Sequence, residues 1–173
     1  ENDVILKRQS TQIFFKNGDT DFFFNWLLGI GEIFGFSHGE LYYLAQRLGN
    51  SPKPDDWKNV FLSHVNYLEQ EASNSGLSEQ TKAQYYLAQT YSLRSAIQFT
   101  DPFSEEYLPT VRQMEKVFSS AIHSLGAPIE KLTITYQGSY LPGYYLHSGD
   151  NCPTLIMIGG GDTYREDLFY FAG

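Results

Sequence analysis

Hydrophobic positions repeat along the chain with two different periods, and the change from one to the other falls near Gly126-Ala127-Pro128. Before that point the spacing is helical. Leu41, Leu44, Ala45 and Leu48 stand at i, i+3, i+4 and i+7, which predicts a helix over 40–48, and Gly49-Asn50-Ser51-Pro52 carries the residue types that end one. A second helix is predicted to start near Asp55 or Asp56, whose carboxylates can accept bonds from the free N–H groups of a first turn. It places Trp57, Val60, Phe61, His64 and Leu68 on one stripe and closes at Asn74-Ser75-Gly76. A third follows a cap at Ser78, aligns Ala83, Tyr86, Leu87, Thr90, Leu93 and Ile97, and stops before Asp101-Pro102. The fourth, over about 104–125, is expected to bury Leu108, Val111, Met114, Phe118, Ala121, Ile122 and Leu125, with Pro109 in its first turn or delaying its start. Gly126 then supplies a left-handed cap and Pro128 prevents continuation.

Beyond Pro128 the period falls to two. Leu132-Thr133-Ile134-Thr135-Tyr136 alternates with β-branched residues, Gln137-Gly138-Ser139 turns, and 141–146 returns as a strand that Pro142-Gly143 is expected to interrupt. After a turn at Ser148-Gly149-Asp150-Asn151, the uninterrupted apolar run Thr154-Leu155-Ile156-Met157-Ile158 predicts a strand covered on both faces, the habit of parallel or mixed sheets in α/β folds. Such a strand needs neighbours that the rest of the chain does not provide.

Composition narrows the classes. The 173 residues are 42% hydrophobic, 16% aromatic and 18% charged, which excludes a disordered tail, a collagen-like fibre and a minimal disulfide scaffold. A chain of this length buries roughly 70% of its unfolded surface and can fold without metals or disulfides. Cys152 has no partner for an internal disulfide, and neither C-x-x-C nor H-E-x-x-H occurs to hold zinc, so the expected location is reducing and cytoplasmic. The net charge of −8, with no basic cluster longer than Lys7-Arg8, argues against nucleic acid as a partner. No apolar run approaches the roughly 20 residues of a membrane helix. The start, Glu1-Asn2-Asp3, is too acidic for a signal peptide. Phe14-Phe15 and Phe22-Phe23-Phe24 are expected to form an exposed aromatic surface, compatible with a homodimer.

Candidate chemistry concentrates after the apolar run, in Gly159-Gly160-Gly161-Asp162-Thr163-Tyr164-Arg165-Glu166-Asp167. Glycines following an interior strand can turn sharply and leave N–H groups above the strand's carboxyl end, where open α/β sheets place ligands. Two readings stay open: a tight exit from a strand, or a pair of main-chain donors for an oxyanion. In the second, Gly160 and Gly161 are the donors, Arg165 and Glu166 fix the loop by charge pairing, and Asp162 supports it. A Walker loop is excluded because no Gly-Lys-Ser/Thr follows, and the dinucleotide fingerprint fails at Asp162. Gly35-Phe36-Ser37-His38-Gly39 fits the nucleophile-elbow pattern, but the stretch before it is a poor central strand, and Ser37 reads as the cap of the following helix. Trp57 and His64 are candidates for a substrate cavity, although a histidine on an apolar stripe is more often a hydrogen-bonded core residue. His123 is expected to be solvated, and His147 lies at a strand end beside a turn. Glu105-Glu106 and Asp55-Asp56 sit at helix starts, where negative charge favours the dipole.

In order and spacing the chain from about 30 to 173 resembles the amino-terminal half of the FrsA-like α/β-hydrolases, which include dihydroxypseudooxynicotine hydrolase and fungal polyketide-shortening hydrolases. The resemblance rests on Gly39-Glu40 opening a helix, Trp57 on the next, Tyr86-Leu87 followed by Arg94-Ser95-Ala96, Leu141-Pro142-Gly143-Tyr144, and the stretch from Pro153 to Asp167. Gly161 stands where the family usually has a bulkier residue. The resemblance implies an α/β protein with a helical cap domain over 1–127 and the start of a hydrolase core over 128–173, the core being incomplete in this chain. It also implies an esterase or carbon–carbon hydrolase that cleaves beside a ketone, taking a small carbonyl substrate with no cofactor. Its serine, acid and histidine would lie downstream of the glycine loop, so this segment alone is expected to be inactive and to need the remainder of the core. The competing reading is a helical interaction module without catalysis. Tyr86-Leu87-Ala88 and the paired amphipathic helices resemble a tetratricopeptide repeat, but no second copy appears at about 34 residues.

Overall fold

The computed structural model describes residues 12–171. The acidic start Glu1-Asn2-Asp3, the Lys7-Arg8 pair and the last two residues lie outside the described residues. The first element, helix α1 (Gly18–Ile30), is one that the spacing did not predict. Its origin is local: Asn17 Oδ1 accepts the N–H groups of Asp19 and Thr20 at 3.0 Å each, and Asp19 and Asp21 place negative charge in the first turn. Phe23, Phe24, Leu27 and Ile30 are buried, and so is Phe15 ahead of the helix. The expected aromatic surface is therefore largely core, with Phe22 its exposed member. The fully buried Asp21 carboxylate accepts the N–H groups of Ile13, Phe14 and Phe15 and the Asn25 amide, which holds the preceding segment against the helix.

A 3₁₀ turn, Gly31–Phe34, ends at Gly35, where φ is +75° and an added Cβ would lie 2.4 Å from the Gln84 carbonyl oxygen. Helix α2 (His38–Leu48) then begins with a capping box: Glu40 N–H donates to Ser37 Oγ at 3.1 Å, and Ser37 N–H donates to Glu40 Oε2 at 2.8 Å. Ser37 is thus a helix cap, in keeping with its reading against the elbow. Helix α3 (Pro54–Ala72) has proline in its first turn and buries Trp57, Phe61, His64 and Leu68.

Helix α4 (Glu79–Ala96) is buried all round from Leu87 to Ile97 rather than along one stripe, because α3 packs on one side of it and helix α5 (Tyr107–Ser124) on the other. Three of its small hydroxyl side chains cost little in this setting. Thr90, Ser92 and Ser95 each donate to the carbonyl four residues earlier, at 2.8 Å. The Trp57 indole N–H donates to the Ser95 carbonyl at 2.8 Å and ties α3 to α4. In α5, Pro109 falls in the first turn and Met114, Phe118, Ala121 and Ile122 are buried; Leu108 and Leu125, expected inside, are exposed, each at an extremity of the helix.

Strands β1 (Ile129–Tyr136) and β2 (Ser139–Leu146) form an antiparallel ribbon in the register Ile129↔Leu146 to Tyr136↔Ser139. Gln137 and Gly138 both take positive φ, the signature of a two-residue hairpin turn that matches strand twist. Pro142-Gly143 does not break β2: a two-stranded ribbon leaves part of each strand's N–H groups outside the ladder, where proline is tolerated. The ribbon meets the helices through Tyr144, whose ring packs edge-on against Phe118 at 5.3 Å.

The largest departure from expectation is 154–158. It pairs with no strand among the described residues, and its side chains are outside: Leu155, Ile156 and Ile158 are 81%, 79% and 88% exposed. The physical reason is the lack of a ladder, since a run suited to a covered strand stays open when neither flank nor face is supplied. After it, the 3₁₀ segment Arg165–Phe171 returns to the helices, with Phe169 against Phe118. The described part is mostly helical with one hairpin, compatible with an α/β arrangement. Among the described residues no helix is long and apolar enough to cross a membrane.

Candidate functional site

Between α1, the end of α4 and the returning segment lies a cavity of about 840 Å³. Its apolar wall is aromatic, with Phe23 and Trp26 from α1 and Phe99 after α4; its polar wall is Arg94, Asp162 and Asp167. Arg94 is 5% exposed, and a charge so placed would be costly unless fully paired. It is paired on every arm. Nε donates to Asp167 Oδ2 at 3.2 Å, one terminal nitrogen donates to the Asp162 carbonyl oxygen at 3.1 Å, and the other to Gln98. Its guanidinium also lies over the rings of Phe23, Trp26 and Tyr164, at 5.3, 5.7 and 4.9 Å from their centroids.

The loop beyond it is closed by short-range bonds. Thr163 N–H donates to the Gly160 carbonyl and Gly160 N–H donates to Thr163 Oγ1, both at 3.2 Å, while Tyr164 N–H donates to Asp167 Oδ2 at 2.9 Å. None of Gly159, Gly160 and Gly161 has a left-handed φ. Only Gly159 is required sterically: an added Cβ would stand 2.6 Å from the Thr163 side chain, whereas the position at Gly161 faces open space. Gly161 N–H makes no hydrogen bond among the described residues. Gly160 and Gly161 do not line the cavity; Asp162 and Thr163, which follow them, do.

On the other side of this segment, Glu166 is almost fully buried and accepts the Tyr144 hydroxyl at 2.7 Å. Arg165 Nε lies 3.4 Å from Glu166, a terminal nitrogen of Arg165 pairs with Glu115 on α5, and its guanidinium sits over the Tyr144 ring. Burial, and after it the Glu166 charge, push the Tyr144 hydroxyl well above the usual tyrosine range. Burial and the hydrogen-bonded Tyr107 hydroxyl do the same for Tyr164. These phenols act as hydrogen-bonding groups rather than as acids.

Trp57 and His64 do not line the cavity. Trp57 is packed among Phe15, Phe23, Phe61 and Phe99. The His64 ring stacks between Phe36 and Tyr67, with Nδ1 2.9 Å from Ser92 Oγ and Nε2 3.6 Å from Glu40 Oε1. The Ser92 hydroxyl donates to Ala88, so it accepts from Nδ1–H. His64 foremost, and the Ser37 amide and hydroxyl after it, outweigh desolvation and hold Glu40 down at about 2. His147, at its strand end, lies 3.3 Å from Glu130.

Residue-by-residue reading missed Arg94 and Asp167. A signal existed for the first: Arg94 falls on the same face as Leu87, Thr90 and Ile97, and a charge on an apolar helix face that stays helical must be paired inside. Asp167 gave no comparable sign, since its role depends on how the loop meets α4.

The described part is thus mostly helical with one hairpin, and a glycine-rich turn leads into a segment bound to α4 beside an aromatic cavity. No family model matches the chain. It is similar to hydrolyase ccsE of Aspergillus clavatus, with 26% identity over 155 residues, covering 79% of this chain and 35% of that protein. The chain thus spans about a third of the length of this curated relative.

Proposed function

We propose that this chain is the helical cap, over 1–127, and the first core segment, over 128–173, of a serine α/β-hydrolase that cleaves an ester or a carbon–carbon bond beside a ketone. The observation that carries the reading is the segment directly after the glycines, where Asp162, Thr163 and Asp167 line an aromatic cavity and Asp162 and Asp167 are gripped from the helical side by Arg94. Similarity to a protein named a hydrolyase supports it. In this reading a downstream serine attacks the substrate carbonyl, and the oxygen that becomes negative is met by the N–H groups of Gly160 and Gly161. Gly161 N–H makes no hydrogen bond among the described residues. Gly160 N–H is held by Thr163 Oγ1 and becomes available when that hydroxyl rotates away. A preorganised donor lowers a barrier by about 3–4 kcal/mol, which Gly161 can supply as it stands and Gly160 only after Thr163 has released it. The exposed 154–158 run and the free edges of the β1–β2 ribbon are where the rest of the core would pair. The ribbon itself is strand content that an all-helical interaction array would lack, which weighs against the competing module. Treating the intact gene product with a fluorophosphonate tests the reading: a single labelled serine beyond residue 173, with ester turnover abolished by the label, is expected, and an unlabelled protein would remove it.

A further inference from the structure

We infer that Arg94 of helix α4 is the positioning residue of the glycine loop, setting the direction of its amides from the helical side of the cavity. The inference deepens the hydrolase reading and rests on it for its functional meaning, but its structural content can be tested without turnover. Three observations carry it. Arg94 donates to the carbonyl oxygen of Asp162, the residue immediately after the triglycine, and so fixes the peptide plane at the loop's exit. It also holds Asp167 Oδ2, the acceptor of Tyr164 N–H, so both ends of the turn 162–167 are anchored on one guanidinium. Finally, the turn transmits that anchoring backwards: Thr163, between the two anchor points, exchanges hydrogen bonds with Gly160 through its N–H and its hydroxyl.

Among the described residues the charge is engaged within the protein. Each of its three nitrogens makes one bond, to Asp167, Gln98 or Asp162, and Phe23, Trp26 and Tyr164 lie against its faces, so it is not presented as a free cation to a ligand. Planar, multidentate geometry is what the site uses, and a lysine at the same position offers a point charge that cannot reach three acceptors in one plane.

Hydrogen exchange in the intact protein tests this. In R94K, and separately in D167N, the peptide covering 159–167 is expected to exchange roughly 10- to 100-fold faster, as befits loss of charge-assisted bonds. The peptide covering 57–68 of α3 is expected to keep its rate. T163V, which should leave the fold intact, is expected to speed Gly160 alone. Unchanged exchange of 159–167 in both R94K and D167N would overturn the inference, as would acceleration of 57–68 by the same factor, since that would make Arg94 a general stability residue. Should R94K fail to fold, D167N decides by the same criteria. Failure of the hydrolase reading appears separately, as absence of a fluorophosphonate-labelled serine while the exchange result stands.

Discussion

The sharpest constraints act on single residues. Gly35 combines a left-handed φ with a Cβ position 2.4 Å from the Gln84 carbonyl, so Gly35→Ala meets both backbone strain and a clash with main chain that cannot swing aside. A loss of about 3 kcal/mol in denaturant midpoint analysis is expected; a change below about 1 kcal/mol would mean that the turn relaxes freely. Glu40 gives a pH signature. Its folded-state value near 2 lies below its ordinary 4.5, so the stability it contributes is fully present above about pH 4.5 and is lost as pH falls towards 2. Glu40→Gln should therefore be less stable than the parent at pH 7, with the gap closing across that window in thermal melts. Asp21 acts in the same direction. Burial pushes its carboxyl up, but the N–H groups of Phe15, Phe14 and Ile13 together outweigh burial and leave it below the ordinary value.

At the scale of elements, α4 is the organiser. It lies between α3 and α5, and the Trp57–Ser95 bond is one of its buried links to α3, beside His64–Ser92. Trp57→Phe should cost roughly 2–4 kcal/mol in urea unfolding, from a void plus the lost indole bond to a Ser95 carbonyl that keeps the Gln98 N–H, with the slope unchanged. The helices 38–48, 54–72, 79–96 and 107–124 were legible because each keeps a 3.6 period between plain caps and breakers, and the hairpin because Gln137-Gly138 announces its turn. Helix α1 was not legible: its aromatic run hides the period, and Asn17 as its cap is evident only once the chain before it folds back onto Asp21. The 154–158 run shows the opposite failure. Its composition states what it would do with neighbours, and composition cannot supply them. For the site, the glycine turn was visible as a motif, but Arg94 meets it at Asp162 across 68 residues of sequence and pairs with Asp167 across 73, which no local pattern records.

For the whole molecule, the central claim is that the glycine turn serves as an oxyanion loop beneath a helical cap. Gly161 permits a clean comparison, because its Cβ position is open and its φ is not left-handed, so Gly161→Ala should be accommodated while Gly161→Pro deletes the N–H. The measurement is the rate at which a fluorophosphonate phosphonylates the intact protein, which needs no knowledge of the natural substrate. The account predicts a near-parental rate for the alanine variant and a rate about 100- to 1,000-fold lower for the proline variant, with equal thermal stability. Equal labelling rates for the two variants, or no labelled serine in either, would contradict it.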